Sequence, residues 1–157
     1  MQYIITCPKP IDTSITLPAS KSISNRVLII QALTKGGMMP ENLSDCDDTE
    51  VIIRGLNKQS DIIDIKAAGT AMRFMTAYLS ATNSENTITG TERMKHRPIG
   101  ILVDALRDLG AEIEYVGEEG FPPLHIRGRQ LEGGTLEIPG NISSQYISAL
   151  LMIAPIL

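Results

Sequence analysis

The stretch "ITLPASKSISNRVLIIQAL" (Ile15–Leu33) recurs as "LEIPGNISSQYISALLMIA" (Leu136–Ala154), with Pro18 over Pro139 and Ser22 over Ser143. A third copy, "DIKAAGTAMRFMTAYL" (Asp64–Leu79), keeps the same order more loosely, with Thr70 in the hydroxyl position. Each reads as a short strand, a turn of small residues, a hydroxyl and an apolar helix. Ser and Thr are favoured helix caps anyway, so one instance would carry little weight. Three instances, two sharing a proline at one offset, point to a supersecondary unit used repeatedly.

Working outward, period-2 or β-branched segments bounded by Gly, Pro or Asn predict strands at Ser14–Leu17, Asp61–Ile65, Asn86–Thr89, Ala111–Val116, Leu124–Arg127 and Thr135–Ile138. Helices are expected over Ser22–Lys35 with a Gly36-Gly37 stop, from an Asp48 cap to Leu56, over Gly69–Ala81, over Arg97–Leu109, and from Ser143 onward. Pro98 near the start and Gly110 past the end of the fourth fit the usual asymmetry of helix termini. Strands interleaved with helices predict an α/β (α+β) layered domain.

Composition narrows the function. Hydrophobic residues make up 43% and charged residues 20% of the 157-residue chain, as in globular proteins. A formal net charge of -4 gives a polyanion such as nucleic acid no global attraction, so no nucleic-acid partner is expected. Cys7 and Cys46 lack metal-type spacing and read as free thiols of a reducing compartment. "MQYIITCPKPID" has no targeting signature, and the apolar run Tyr146–Leu157 is shorter than the ~20 residues that span a bilayer. The expectation is a cytoplasmic protein with no membrane partner.

The chemistry lies at the helix starts. A solvated helix start prefers acidic side chains, yet Lys21 and Arg26 flank Ser22 there. Free N–H groups and the positive dipole end bind phosphates and carboxylates. If the three units pack side by side, Ser22, Thr70, Ser143 and Ser144 converge with Lys21, Arg26 and Arg97 on one cleft. Such a cleft suits a ligand with more than one anionic group. Spacing alone leaves Lys21 equally compatible with a loop cation, Arg26 with a surface position, and Arg93, Lys95 and Arg97 with a solvated basic turn. Arg73 is expected to pair with Asp47 or Asp48 as structural glue. His96 and His125 are isolated, so no metal site is assigned.

"LPASKSISNR", "AGTAMR", "RMKHRPI" followed by "LVDALRDLGA", and "SSQYISALLM" resemble, in order and approximate spacing, the N-terminal part of the EPSP synthase family, the enolpyruvyl transferases of the shikimate pathway. The resemblance runs from about Ile11 to the last residue. It implies an enolpyruvyl transferase-like domain of repeated strand-helix units, inverse α/β barrel-like, with residues 1–11 belonging structurally to a second domain and residues 12–157 to a truncated first one. It implies transfer of the enolpyruvyl group from phosphoenolpyruvate to shikimate 3-phosphate by a monomeric parent, without metal or cofactor.

By the same resemblance, Lys21, Ser22 and Arg26 hold shikimate 3-phosphate, and Lys21 also reaches phosphoenolpyruvate. Gly69 and Arg97 contact phosphoenolpyruvate, and Ser143, Ser144 and Gln145 clamp the shikimate phosphate and ring. The general acid–base group is expected from the second domain, so this chain alone is expected to bind without turnover. Two departures stand out: Ala67 occupies the position of a family asparagine, and the Leu56–Ile63 connection is short. A non-catalytic anion-binding module is the alternative from another class. A relative of the transferases that act on a UDP-amino sugar ranks below it, since that pattern lacks the "SKS-x-SNR" and "SSQ" pair.

Overall fold

The computed structural model describes residues 2–4, 6, 10–34, 37–57 and 60–157. Cys7, and Lys35 and Gly36 at the expected end of the first helix, lie outside that set. In chain order the elements are α1 (Lys21–Leu33), α2 (Asp47–Leu56), β1 (Ile62–Asp64), α3 (Gly69–Ser80), β2 (Glu85–Thr89), α4 (Glu92–Lys95), α5 (Gly100–Asp108), β3 (Glu112–Tyr115), β4 (Leu124–Arg127) and α6 (Ser144–Ile153), which runs into a 3-10 turn at Ala154–Ile156.

The strands form one mixed sheet in the order β1-β2-β4-β3. β1 lies parallel to β2 with Ile63 opposite Ile88, and the other pairs are antiparallel, with Ile88 opposite Leu124 and Ile126 opposite Ile113. Side chains alternate across the pleat, so these isoleucines and Leu124 share one buried face. The opposite face is polar, with Arg127 paired to Glu85, Glu112 and Glu114. Helices α2, α3 and α5 pack on the sheet, while α1 and α6 cover α3 from the other side.

This sandwiching explains α3, where every residue except Thr70 is buried. A helix covered all round can hold hydroxyls only if they find partners. Thr76 and Ser80 therefore donate back to the carbonyls of Met72 and Thr76, each at 2.8 Å. At the far end of α5, Gly110 has φ +91°, and the amides of Gly110 and Ala111 bond the carbonyls of Arg107 and Leu106 at 2.8 and 2.9 Å. These bonds make the glycine stop anticipated from the sequence a Schellman motif.

Four expectations need correction. Ser14–Leu17 and Thr135–Ile138 are not strands, because no neighbouring chain among the described residues hydrogen-bonds them. Ile15 and Leu17 stay 77% and 81% exposed, whereas Leu136 and Ile138 rest partly buried against the core without a ladder. The middle unit alone keeps its strand, since β2 is there to receive it. α5 begins at Gly100 rather than Arg97, because "ERMK" forms the separate short helix α4, which Arg97 closes by donating to the Met94 carbonyl at 3.0 Å. α2 begins at Asp47, with Asp48 in its first turn and not at the cap.

Candidate functional site

The three expected helix starts are built differently. In α1 the cap is Ser20, whose hydroxyl accepts from the Ile23 amide at 3.4 Å, so Lys21 is the first helical residue and Ser22 follows it. In α6 Ser143 is the cap, accepting from the Gln145 amide at 3.3 Å and leaving Ser144 exposed. The α3 cap is Ala68, which has no side chain that can accept, so the amides opening α3 lack a side-chain partner. An anion there would meet unsatisfied N–H groups and the positive dipole end together.

Side-chain contacts at matching heights show that the three helices start at the same end of the domain. The Gln145 Nε2 donates to the Thr70 hydroxyl at 3.1 Å, tying the start of α6 to the start of α3. One level deeper, the Arg26 guanidinium donates to Ser148 at 3.2 Å and lies over the Phe74 ring, 5.2 Å from its centroid. Its other donor reaches the Ser22 carbonyl at 2.9 Å. Lys21 pairs with Asp48 at 3.6 Å, and Asp48 lines a cavity of about 330 Å3 shared with Lys66, Ala67 and Ala68. The start of α1 thus reaches that of α3 through α2.

A second cluster forms where α3 meets the loop after α4. A side chain on Gly69 would occupy space held by the guanidiniums of Arg97 and Arg73, so only glycine leaves room for both there. Arg97 itself is exposed and, with Arg93, Met94 and Ala67, lines a cavity of about 170 Å3. Arg73 is 5% exposed and donates to the Gly69 carbonyl at 2.9 Å and the Pro98 carbonyl at 3.2 Å. It does not pair with Asp47 or Asp48 as expected, since it is directed into the helix interface and Lys21 takes Asp48. Burial, followed by the Arg97 charge, lowers its pKa from the ordinary guanidinium value.

Among the described residues no carboxylate lies within ion-pair distance of Arg26, Arg73 or Arg97. Arg73 and Arg97, side by side without a counter-charge, favour an anionic ligand. Of the anticipated residues, Gly69 joins Arg97, Gln145 joins Thr70, and Arg26 joins α6. No hydrogen bond among the described residues links Lys21 or Ser22 to Gly69 or Arg97. Motif reading missed the contacts of Arg73 with Pro98 and Tyr146 and of Arg26 with Ser148, although the repeat held a signal for Arg73 and Tyr146. Three residues after Ser22, Thr70 and Ser143 stand Asn25, Arg73 and Tyr146, polar and only 0%, 5% and 4% exposed.

Among the described residues no group of His, Cys, Asp and Glu could hold a metal ion, and no helix is long and apolar enough to cross a membrane. The fold is a layered α/β domain, with helices packed on a mixed four-stranded sheet. The family model for EPSP synthase (3-phosphoshikimate 1-carboxyvinyltransferase) matches residues 5–58 and 52–157, and the chain belongs to that family. It is 64% identical over its whole length to the 3-phosphoshikimate 1-carboxyvinyltransferase of Bacteroides fragilis, and covers 38% of that protein. To the enzyme of that name from Shewanella halifaxensis it is 40% identical, with 94% of this chain and 41% of the relative aligned. EPSP synthase of Acinetobacter baumannii shares the fold, with a TM-score of 0.75 at 23% identity over 88% of this chain and 37% of that one. The chain therefore spans about two-fifths of the length of the relatives it matches.

Proposed function

We propose that this chain carries a substrate half-site for transfer of the enolpyruvyl group of phosphoenolpyruvate to shikimate 3-phosphate. The observation that carries the reading is that α1, α3 and α6 start at one end of the domain, where Arg26, Arg73 and Arg97 have no carboxylate partner among the described residues. Both substrates bear a phosphate and a carboxylate, which suits several anion-binding groups set apart in one cleft. Arg26, Ser22, Ser143, Ser144 and Gln145 take the shikimate ligand. Gly69 and Arg97 take phosphoenolpyruvate, with the open amides of α3 beneath it. Lys21 reaches both by leaving Asp48, a long, partly exposed pairing of little worth at 3.6 Å.

These residues neutralise and orient charge, which lowers the barrier by placing the two reactants together. The general acid–base group is placed outside this chain. On its own the chain binds without appreciable turnover. The working site is in the cytoplasm, with the small substrates as its only partners and the parent enzyme monomeric. Calorimetric titration with shikimate 3-phosphate tests the reading, comparing the unmodified chain with Ser144→Ala and Arg26→Ala. Binding that weakens in both variants supports it; no heat of binding, or equal affinity in all three, refutes the assignment.

A further inference from the structure

We infer that Arg73 and Tyr146 clamp the Pro98 carbonyl and so position the Arg97 guanidinium against Gly69 for the phosphoenolpyruvate half of the site. The inference rests on the proposed function and assigns work to two buried side chains outside that set of ligands.

The Tyr146 hydroxyl donates to the Pro98 carbonyl at 2.8 Å, and Arg73 Nη2 donates to the same oxygen at 3.2 Å. The Arg73 guanidinium lies over the Tyr146 ring, 5.9 Å from its centroid. Its other terminal nitrogen holds the Gly69 carbonyl at 2.9 Å. One planar fork therefore fixes the separation of two backbone segments, the start of α3 and the loop that carries Arg97. Pro98 follows Arg97 directly, so fixing its carbonyl fixes where the Arg97 side chain departs. With no Cβ on Gly69, the Arg97 guanidinium lies against the α3 backbone.

A purely structural bridge would not need a charge here. Burying a guanidinium without a carboxylate is costly, and its Nε has no partner at all. Placing it beside the Arg97 cation adds repulsion, which a bound anion relieves. The arrangement is understandable if the ligand supplies the missing negative charge. Arg73 and Tyr146 are thus positioning residues that act through Gly69 and Arg97.

The test titrates phosphoenolpyruvate into the 15N-labelled chain saturated with shikimate 3-phosphate, following the Gly69 amide. Arg97→Ala, Arg73→Lys and Tyr146→Phe are compared with the unmodified chain, and each variant's thermal unfolding and shikimate 3-phosphate affinity are recorded. Arg73→Lys keeps the charge but loses the fork, and Tyr146→Phe keeps the ring but loses the donor. The expected result is an affinity for phosphoenolpyruvate lowered about tenfold by Arg73→Lys and about threefold by Tyr146→Phe, with shikimate 3-phosphate affinity unchanged. Phosphoenolpyruvate binding that is lost in Arg97→Ala but intact in Arg73→Lys and Tyr146→Phe overturns the clamp and leaves the function standing. Affinity for both ligands falling in step with thermal stability also overturns it, since that is the mark of a structural role. No response of the unmodified chain to phosphoenolpyruvate removes the functional reading itself, and the clamp with it.

Discussion

Arg26 on α1 and Arg73 on α3 each donate at 2.9 Å to the carbonyl four residues back, at Ser22 and Gly69. Each also lies over an aromatic ring of a neighbouring helix, Phe74 for Arg26 and Tyr146 for Arg73. Their remaining contacts separate them. Arg26 reaches a hydroxyl, Ser148, and opens onto an apolar groove of about 380 Å3 between α1 and α6. Arg73 reaches a second backbone carbonyl and is closed off from solvent. A half-open guanidinium keeps donors free for a ligand, while a buried one holds the frame that other ligands stand on. Helix geometry gives both arginines the same bond to the carbonyl four residues back; packing divides their work.

The sharpest way to break this contrast is Arg73→Ala. It removes the guanidinium that bridges the Gly69 and Pro98 carbonyls and opens a cavity beside buried α3, for an expected loss of about 2–4 kcal/mol in denaturant unfolding. A loss near that of a surface substitution would show that Arg73 does not hold the frame. Arg26→Ala should cost ~1 kcal/mol or less in stability, yet lower shikimate 3-phosphate affinity more than about tenfold in calorimetry. If it unfolds the chain as readily as the Arg73 variant, the division of roles fails. Ser148→Ala removes only the hydroxyl that steadies Arg26, so affinity should fall about two- to threefold with a normal unfolding midpoint.

The smallest effect concerns the turn into α3. The Lys66 ammonium bonds the Asp64 carboxylate at 2.6 Å and, with the Lys66 amide, holds its pKa below the ordinary carboxylate value despite partial burial. A lowered folded-state pKa means stability that is present above the unfolded value of about 4 and lost as pH falls through the folded one. Both side chains are about half exposed, so solvent screening keeps the contribution under about 0.5 kcal/mol. Asp64→Asn should lower the unfolding temperature slightly at neutral pH, with the gap closing in acid. A gap that widens in acid contradicts the sign.

Much of this was legible in the chain because it depends on local chemistry. The helix positions follow apolar spacing, the α5 stop follows Gly110, and the β4 bounds follow alternation between Gly and Pro signals. Ser14–Leu17 has the alternation of a strand but no partner, and a strand is a property of pairs. The Arg97–Pro98 loop resisted reading because Pro98 has a helix-start signature, while its carbonyl answers to Arg73 and Tyr146, both remote in sequence. Backbone carbonyls carry no residue code, so carboxylates looked like the natural partners of Arg73. The common offset of Asn25, Arg73 and Tyr146 was visible in the repeat, but its meaning required the packing of α1, α3 and α6.

The central claim is that the starts of these three helices act together on one anionic ligand. Amide chemical-shift mapping of the 15N-labelled chain with shikimate 3-phosphate tests it most directly. The account predicts coordinated shifts at Ser22, Thr70, Ser144 and Gln145 that saturate with a single affinity, and that Arg26→Ala weakens together. Shifts confined to one helix start, or centred on the Arg127 cluster of the opposite sheet face, would contradict it.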